Sequence, residues 1–181
     1  MSSVQVLDQI DAVVPAGTWN LDPTHSQVDF GVRHLGISTI RGTFSGVSAT
    51  LLGGDTPTLT GSIELASVST KDEGRDAHLL SPDFFDTERY PEATFEATFI
   101  TPEKLVGDFT LKGITNEVEF SASYTEAGVD PYGNDRVGIE LEGVIDRSDY
   151  GVTFNMPLPT GGFALGEKVK LFASLSFVKE A

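Results

Sequence analysis

Strict alternation of apolar and polar residues recurs along the second half of this chain, and few architectures accommodate it. Ala93, Phe95, Ala97 and Phe99 alternate with Thr94, Glu96 and Thr98; Leu105, Gly107, Phe109 and Leu111 alternate with Val106, Asp108 and Thr110. Three further runs repeat the pattern: Val118 to Ala122, Val137 to Gly143, and Val169 to Phe177. A period of two sends successive side chains to opposite faces of a strand. Each run therefore has one apolar and one mainly polar face, as an antiparallel sheet wetted on one side requires. Strands without partner helices must bury their apolar faces against one another. A sandwich and a closed barrel both do this, and alternation alone leaves the choice open.

The first half continues the rhythm. Thr18 to Leu21 is a short strand ending at Asp22-Pro23, a turn signal. From Ser26, one face carries Val28, Phe30, Val32 and His34, and the other carries Gln27, Asp29, Gly31, Arg33 and Leu35. After Leu35-Gly36, Ile37 to Phe44 is a second extended run, which makes a hairpin. Val47 to Leu52 leads to Gly53-Gly54-Asp55, another turn, and Leu59 to Val68 reads as one further strand. Residues 69–91 break the rhythm. Thr70 to Glu73 has the spacing of a capping box, and a short helix is predicted there, closed off by Ser81-Pro82. Phe84 and Phe85 follow; from an extended backbone one plugs a core while the other covers it.

These stretches resemble, in order, the YceI-like family of lipocalin-like, polyisoprenoid-binding barrels. The match begins with Trp19 to Asp22, His25-Ser26, Phe30 to Ser38 and Ile40 to Phe44. It continues through Arg75 to Leu79, Asp83 to Asp86, Tyr90-Pro91 and Thr94-Phe95. Gly107 to Thr115, Asp130 to Gly133 and Asp146 to Val152 complete it. Asn116-Glu117 departs from the family pattern, where a basic or proline-containing pair is expected; the change falls on surface charge. The resemblance implies an all-β fold: a single antiparallel eight-stranded lipocalin-like barrel over 17–181, with a short helical insertion and an apolar lumen. About eight strands is also the size at which a barrel interior holds one small ligand. Small inward residues (Ala93, Ala97, Gly107, Ala122, Gly143, Ala173) either leave a void or relieve crowding; the resemblance favours a tunnel holding a prenyl chain. Phe30, Val32, His34, Phe95, Phe109, Val118 and Leu171, with Phe84 and Phe85, are the expected ligand contacts.

Residues 1–16 place Val6, Leu7, Ile10, Val13 and Val14 at helical spacing before Pro15, which predicts an N-terminal arm or short helix. A net charge of −15 with a pI near 4.3 argues strongly against a nucleic-acid partner, whose phosphates need a basic surface, and disfavours anionic bilayers. The absence of Cys removes disulfides, thiolate metal sites and a Cys nucleophile. No apolar run approaches the roughly 20 residues of a spanning helix. The start of the chain does not read as a secretory signal, and lipid-facing aromatic girdles are missing, so a cytoplasmic location without stable membrane insertion is expected.

The polar chemistry resides in His25, His34 and His78 with Arg33, Arg41, Arg75, Asp76 and Arg147. No two histidines have the spacing that puts both on one strand face, so no metal is expected. A Gly-x-Ser-x-Gly elbow is missing. Arg75, Asp76, His78 and Arg147 are expected to pin the helical insertion to the barrel. His34 shares a face with Phe30 and Val32 and is the candidate for touching a ligand's polar end. Two functions follow. One is non-catalytic binding, transport or storage of an isoprenoid lipid or quinone, with no other cofactor. The other is an enzyme acting on a small lipid through a His base. A homodimer is left open.

Overall fold

The computed structural model describes residues 14–181, with the backbone alone at 126 and 127. The expected arm or helix over 1–16 therefore lies almost wholly outside the described residues. Eleven strands follow: β1 (Gly17–Leu21), β2 (Gln27–His34), β3 (Ser38–Phe44), β4 (Val47–Gly53), β5 (Thr58–Glu64) and β6 (Val68–Ser69). Then come helix α1 (Glu73–Leu80), β7 (Glu92–Ile100), β8 (Lys104–Leu111), β9 (Ile114–Val129), β10 (Asp135–Asp146) and β11 (Leu165–Lys179).

These segments form eight staves of a closed antiparallel barrel. β11 pairs with β2 through Leu165–Ser174 and with β1 through Phe177–Lys179, so β1 and β2 are one stave interrupted by a turn. β3 and β4 pair with β2 and β1 respectively, and β6 and β5 pair with β3 and β4. From β7 to β11 each strand pairs with the next. Each interruption has a local cause. Asp22 caps a 3-10 turn over Pro23–His25, where proline cannot donate to a ladder. The run read as one strand from Leu59 to Val68 is divided by a 3-10 turn over Leu65–Ser67, whose Ser67 hydroxyl donates to the Glu64 carbonyl at 2.6 Å.

Two expectations need correction. Phe99, expected on the inward face, is 58% exposed. The β7–β8 register shifts between Ala97 and Phe99, and such a bulge exchanges the faces beyond it, so Ile100 turns inward instead. The helix N-cap is Asp72, not Thr70. Lys71 adopts a left-handed backbone (φ 62°), and the Asp72 carboxylate then accepts from the Arg75 N–H at 2.9 Å.

The two ends of the barrel differ. Among the described residues, one carries the hairpin turns after β4, β7 and β9, with the chain around Val14 and the C-terminal residues beside them. Its interior is solid: Trp19, Leu51, Leu105, Val137, Ile139 and Phe177 are almost completely buried. The indole of Trp19 donates to the Pro15 carbonyl at 2.9 Å, so its polar edge is satisfied. The other end carries α1, the segment 81–91, a 3-10 turn over Arg147–Tyr150 and the loop to β11. The interior is hollow toward this end.

A carbon-lined cavity at the helical end

The hollow has a volume of about 200 Å³. Its wall is supplied by inward positions of nearly every stave: Phe30 and Val32 of β2, Phe95 of β7, Phe109 of β8, Phe120 of β9 and Leu171 of β11. Three of these rings have a common device. Phe30 covers Gly42, Phe95 covers Gly107 and Phe120 covers Gly143, each on the neighbouring strand, and a Cβ at any of these glycines would collide with the ring. The rings consequently lie back into the sheet, a cross-strand aromatic–glycine pairing. Of the small inward residues named above, Gly107 and Gly143 thus relieve crowding, because each lets a neighbouring ring lie against the sheet instead of across the lumen.

Segment 81–91 covers the top. Phe84 is buried and Phe85 half-buried, and both reach the cavity. Phe85 stacks at 6.2 Å on Phe44, which in turn meets Phe30 at 5.6 Å. Phe84 packs on Phe154 at 5.3 Å, and the ring of His78 stands edge-on to both at 5.0 Å. His78 Nε2 also meets the Asp83 carboxylate at 2.8 Å. Arg75 and Asp76 converge on Thr70 at the end of β6. The guanidinium donates to its hydroxyl and carbonyl, and the carboxylate accepts from its N–H and hydroxyl. Lys112, in the β8–β9 turn, adds a bond to the Pro82 carbonyl at 2.9 Å. Arg75, Asp76 and His78 thus brace the insertion internally, through Thr70 and Asp83, and His78 also packs on Phe154.

Arg147 has a different role. It is buried, lines the cavity, and donates to the carbonyls of Gly166, Val152 and Phe154 at 2.8–2.9 Å. It therefore ties the β10–β11 loop, not the helical insertion. Among the described residues no carboxylate forms an ion pair with it, and burial lowers its pKa from the ordinary arginine value. Among the described residues it is the one charged side chain in the wall.

The remaining candidates lie elsewhere. Val118 is buried on the inward face opposite Gly107 but does not reach the cavity surface, where the longer Phe109 and Phe120 form the wall. His34 sits at the end of β2, paired with Ser38 and Leu165, outside the lining. His25 occupies the 3-10 turn and bonds Asp22 at 2.7 Å. Arg33 spans its own hairpin tip, bonding Thr39 and the Gly36 carbonyl, and Arg41 is exposed. Among the described residues no cluster of His, Asp or Glu is placed to hold a metal ion. No helix among them is long and apolar enough to cross a membrane.

Two features escaped the sequence reading. Asn116, treated as a surface-charge change, donates to the Asp149 carbonyl at 3.0 Å and ties β9 to the 3-10 turn. Tyr124 has a buried hydroxyl with no partner among the described residues, and burial pushes its phenol up to about 12. Its position in an alternating strand gives no sign of this.

Comparisons with known proteins place this architecture. A family model described as the YceI-like domain matches residues 19–177. A UPF0312 protein of Staphylococcus aureus (strain N315) is 40% identical over 164 residues, covering 88% of this chain and 96% of the relative. Among solved structures, Burkholderia cenocepacia BcnA superposes with a TM-score of 0.75 at 21% identity, covering 86% of this chain and 98% of that one. The Campylobacter jejuni YCEI protein gives 0.66 at 26% identity, covering 82% and 90%. A polyisoprenoid binding domain from Saccharophagus degradans gives 0.65 at 14% identity, covering 90% and 98%. With the family match spanning the whole barrel, and a relative this similar over nearly its full length, the chain belongs to the YceI-like family.

Proposed function

We propose that this protein binds an isoprenoid lipid, a polyprenyl chain or isoprenoid quinone, in the barrel lumen without transforming it. The observation that carries the reading is the cavity wall, which is almost entirely carbon and has Arg147 as its single charged residue. Such a wall rewards transfer of hydrocarbon out of water and offers a polar ligand few partners. The Saccharophagus degradans domain, described as polyisoprenoid binding, has the same fold. None of the three histidines lines the cavity, which favours a carrier over an enzyme with a His base.

The cavity, at about 200 Å³, is smaller than the roughly 300–1,000 Å³ of drug-sized sites. A long chain gains room by displacing the half-buried ring of Phe85 at the top, not the glycine-backed rings of the wall. Native mass spectrometry of the purified protein identifies a retained lipid. Titrating prenyl alcohols and quinones of increasing length into delipidated protein then tests the lumen. Each buried methylene offers about 0.8 kcal/mol, less the cost of ordering the chain, so affinity should climb and then level off. Phe109→Glu should abolish binding, because it buries an unpaired carboxylate, whereas Thr110→Glu on the outer face should leave it intact; circular dichroism checks folding. A flat response to length, or equal damage from both substitutions, would remove support for a lumenal ligand.

A further inference from the structure

One surface of the barrel gathers three cations without ion-pair partners among the described residues, on a chain whose net charge is −15. On the outside of β2, β3 and β11, Arg41 and Lys170 both stand opposite Gly31 in the ladders, and Arg33 lies two residues further along β2. Among the described residues none of the three cations forms an ion pair. The acids beside them are Asp29, the exposed Glu142 and Glu167, while Asp146 is held by Lys168 at 2.9 Å. Immediately beyond the cations are two loop tips joined by a hydrogen bond from the Leu35 N–H to the Ala164 carbonyl. They expose Leu35 and Ile37 (79% exposed) from one loop, and Met156 and Phe163 (63%) from the other. Residues 150–166, which include the second loop, contain no Asp, Glu, Lys or Arg, the longest such run in the chain. Just behind the tips, the half-buried Val32 and Leu165 belong to the cavity wall. The patch therefore frames the corner where the cavity approaches the surface.

We propose that this face docks on the surface of a phospholipid bilayer, with the four apolar side chains in the headgroup–acyl boundary and Arg33, Arg41 and Lys170 against lipid phosphates. Four side chains on two loop tips bury too little area for a stable protein interface. Shallow apolar insertion beside a basic flank is sufficient for reversible binding to a bilayer. The acidic remainder of the barrel is repelled by anionic lipid and orients this face toward the membrane. The inference extends the lipid-binding reading, since a membrane is the source of an isoprenoid; its test uses vesicles without isoprenoid, so the two readings fail separately.

Delipidated protein is floated with phosphatidylcholine vesicles, with and without a minor fraction of phosphatidylglycerol. The wild type should co-float on both, and more on the anionic set. Ile37→Glu with Phe163→Glu should lower the bound fraction about tenfold on both sets. Arg41→Glu with Lys170→Glu should remove the preference for phosphatidylglycerol and its salt sensitivity. Tyr132→Glu, an 89% exposed position at the opposite end, should change nothing. Failure of the wild type to float, or equal loss from Tyr132→Glu, would overturn the proposal. So would a dimer in sedimentation that Ile37→Glu with Phe163→Glu dissociates, because the face would then be an interface between copies.

Discussion

The ring of Phe120 covers Gly143 on the adjacent strand so closely that a Cβ there would meet its Cδ1 at 2.7 Å. Gly143→Ala must push the ring off the sheet, and the lumen is the space available to it. Binding of a prenyl ligand should fall about tenfold, with an overpacking cost of roughly 1–3 kcal/mol in stability. Gly128→Ala, where no atom lies within 4 Å, is the control and should bind as wild type. Isothermal titration with urea unfolding reads both quantities. Wild-type affinity in Gly143→Ala would show that the wall glycines do not hold the lumen open.

Acid should loosen the closed end in a defined way. Arg136 bridges Asp22, at the break between β1 and β2, and Asp130, in the β9–β10 hairpin, each at 2.8 Å. Hydrogen bonds from Thr24, Arg136 and His25 hold the Asp22 carboxyl far below its ordinary 3.8, and Arg136 with the Asn134 N–H does the same for Asp130. A carboxyl depressed on folding contributes its stability above the unfolded value and loses it as pH falls toward the folded one. Melting temperature should therefore drop as pH falls from about 5 to about 2, and Arg136→Met should flatten that slope. An unchanged slope in Arg136→Met would remove this ion triad as its source.

Removing the guanidinium of Arg147 should be costly whether or not ligand is present. Arg147→Met leaves three carbonyls without their donors, and an unmade buried hydrogen bond costs about 1–3 kcal/mol. A loss of roughly 3–5 kcal/mol is expected in urea unfolding, within the range for breaking a buried polar network. Arg147→Lys should recover only part of it, because an ammonium lacks the planar fork that reaches Gly166, Val152 and Phe154 together. Wild-type stability in Arg147→Met would contradict an anchoring role.

What the sequence revealed depended on whether one strand carried the signal. Alternation in a single segment located β7 to β11, and Asp22-Pro23 marked the break before β2. The pairing of Phe120 with Gly143 needs the register of two strands, which neither segment specifies alone. The bulge at Ala97–Phe99 depends on β8 in the same way, so Phe99 was assigned to the wrong face. Asp72 displaced Thr70 as the helix cap because Lys71 takes a left-handed backbone, a choice that Asp76 and Arg75 support by occupying Thr70. Arg147 read as a partner for the helix, yet its acceptors are backbone carbonyls, which have no sequence signature.

Trp19, Leu105 and Phe177 stopper one end of the barrel, and a lumenal guest of the proposed kind would have to use the other end both to enter and to leave. Whichever tip of a long guest goes in first must come out last, and nothing passes straight through. On the proposed reading, a guest loaded tail-first would keep its head at the neck, and donor and receiver would both approach from that side, one after the other.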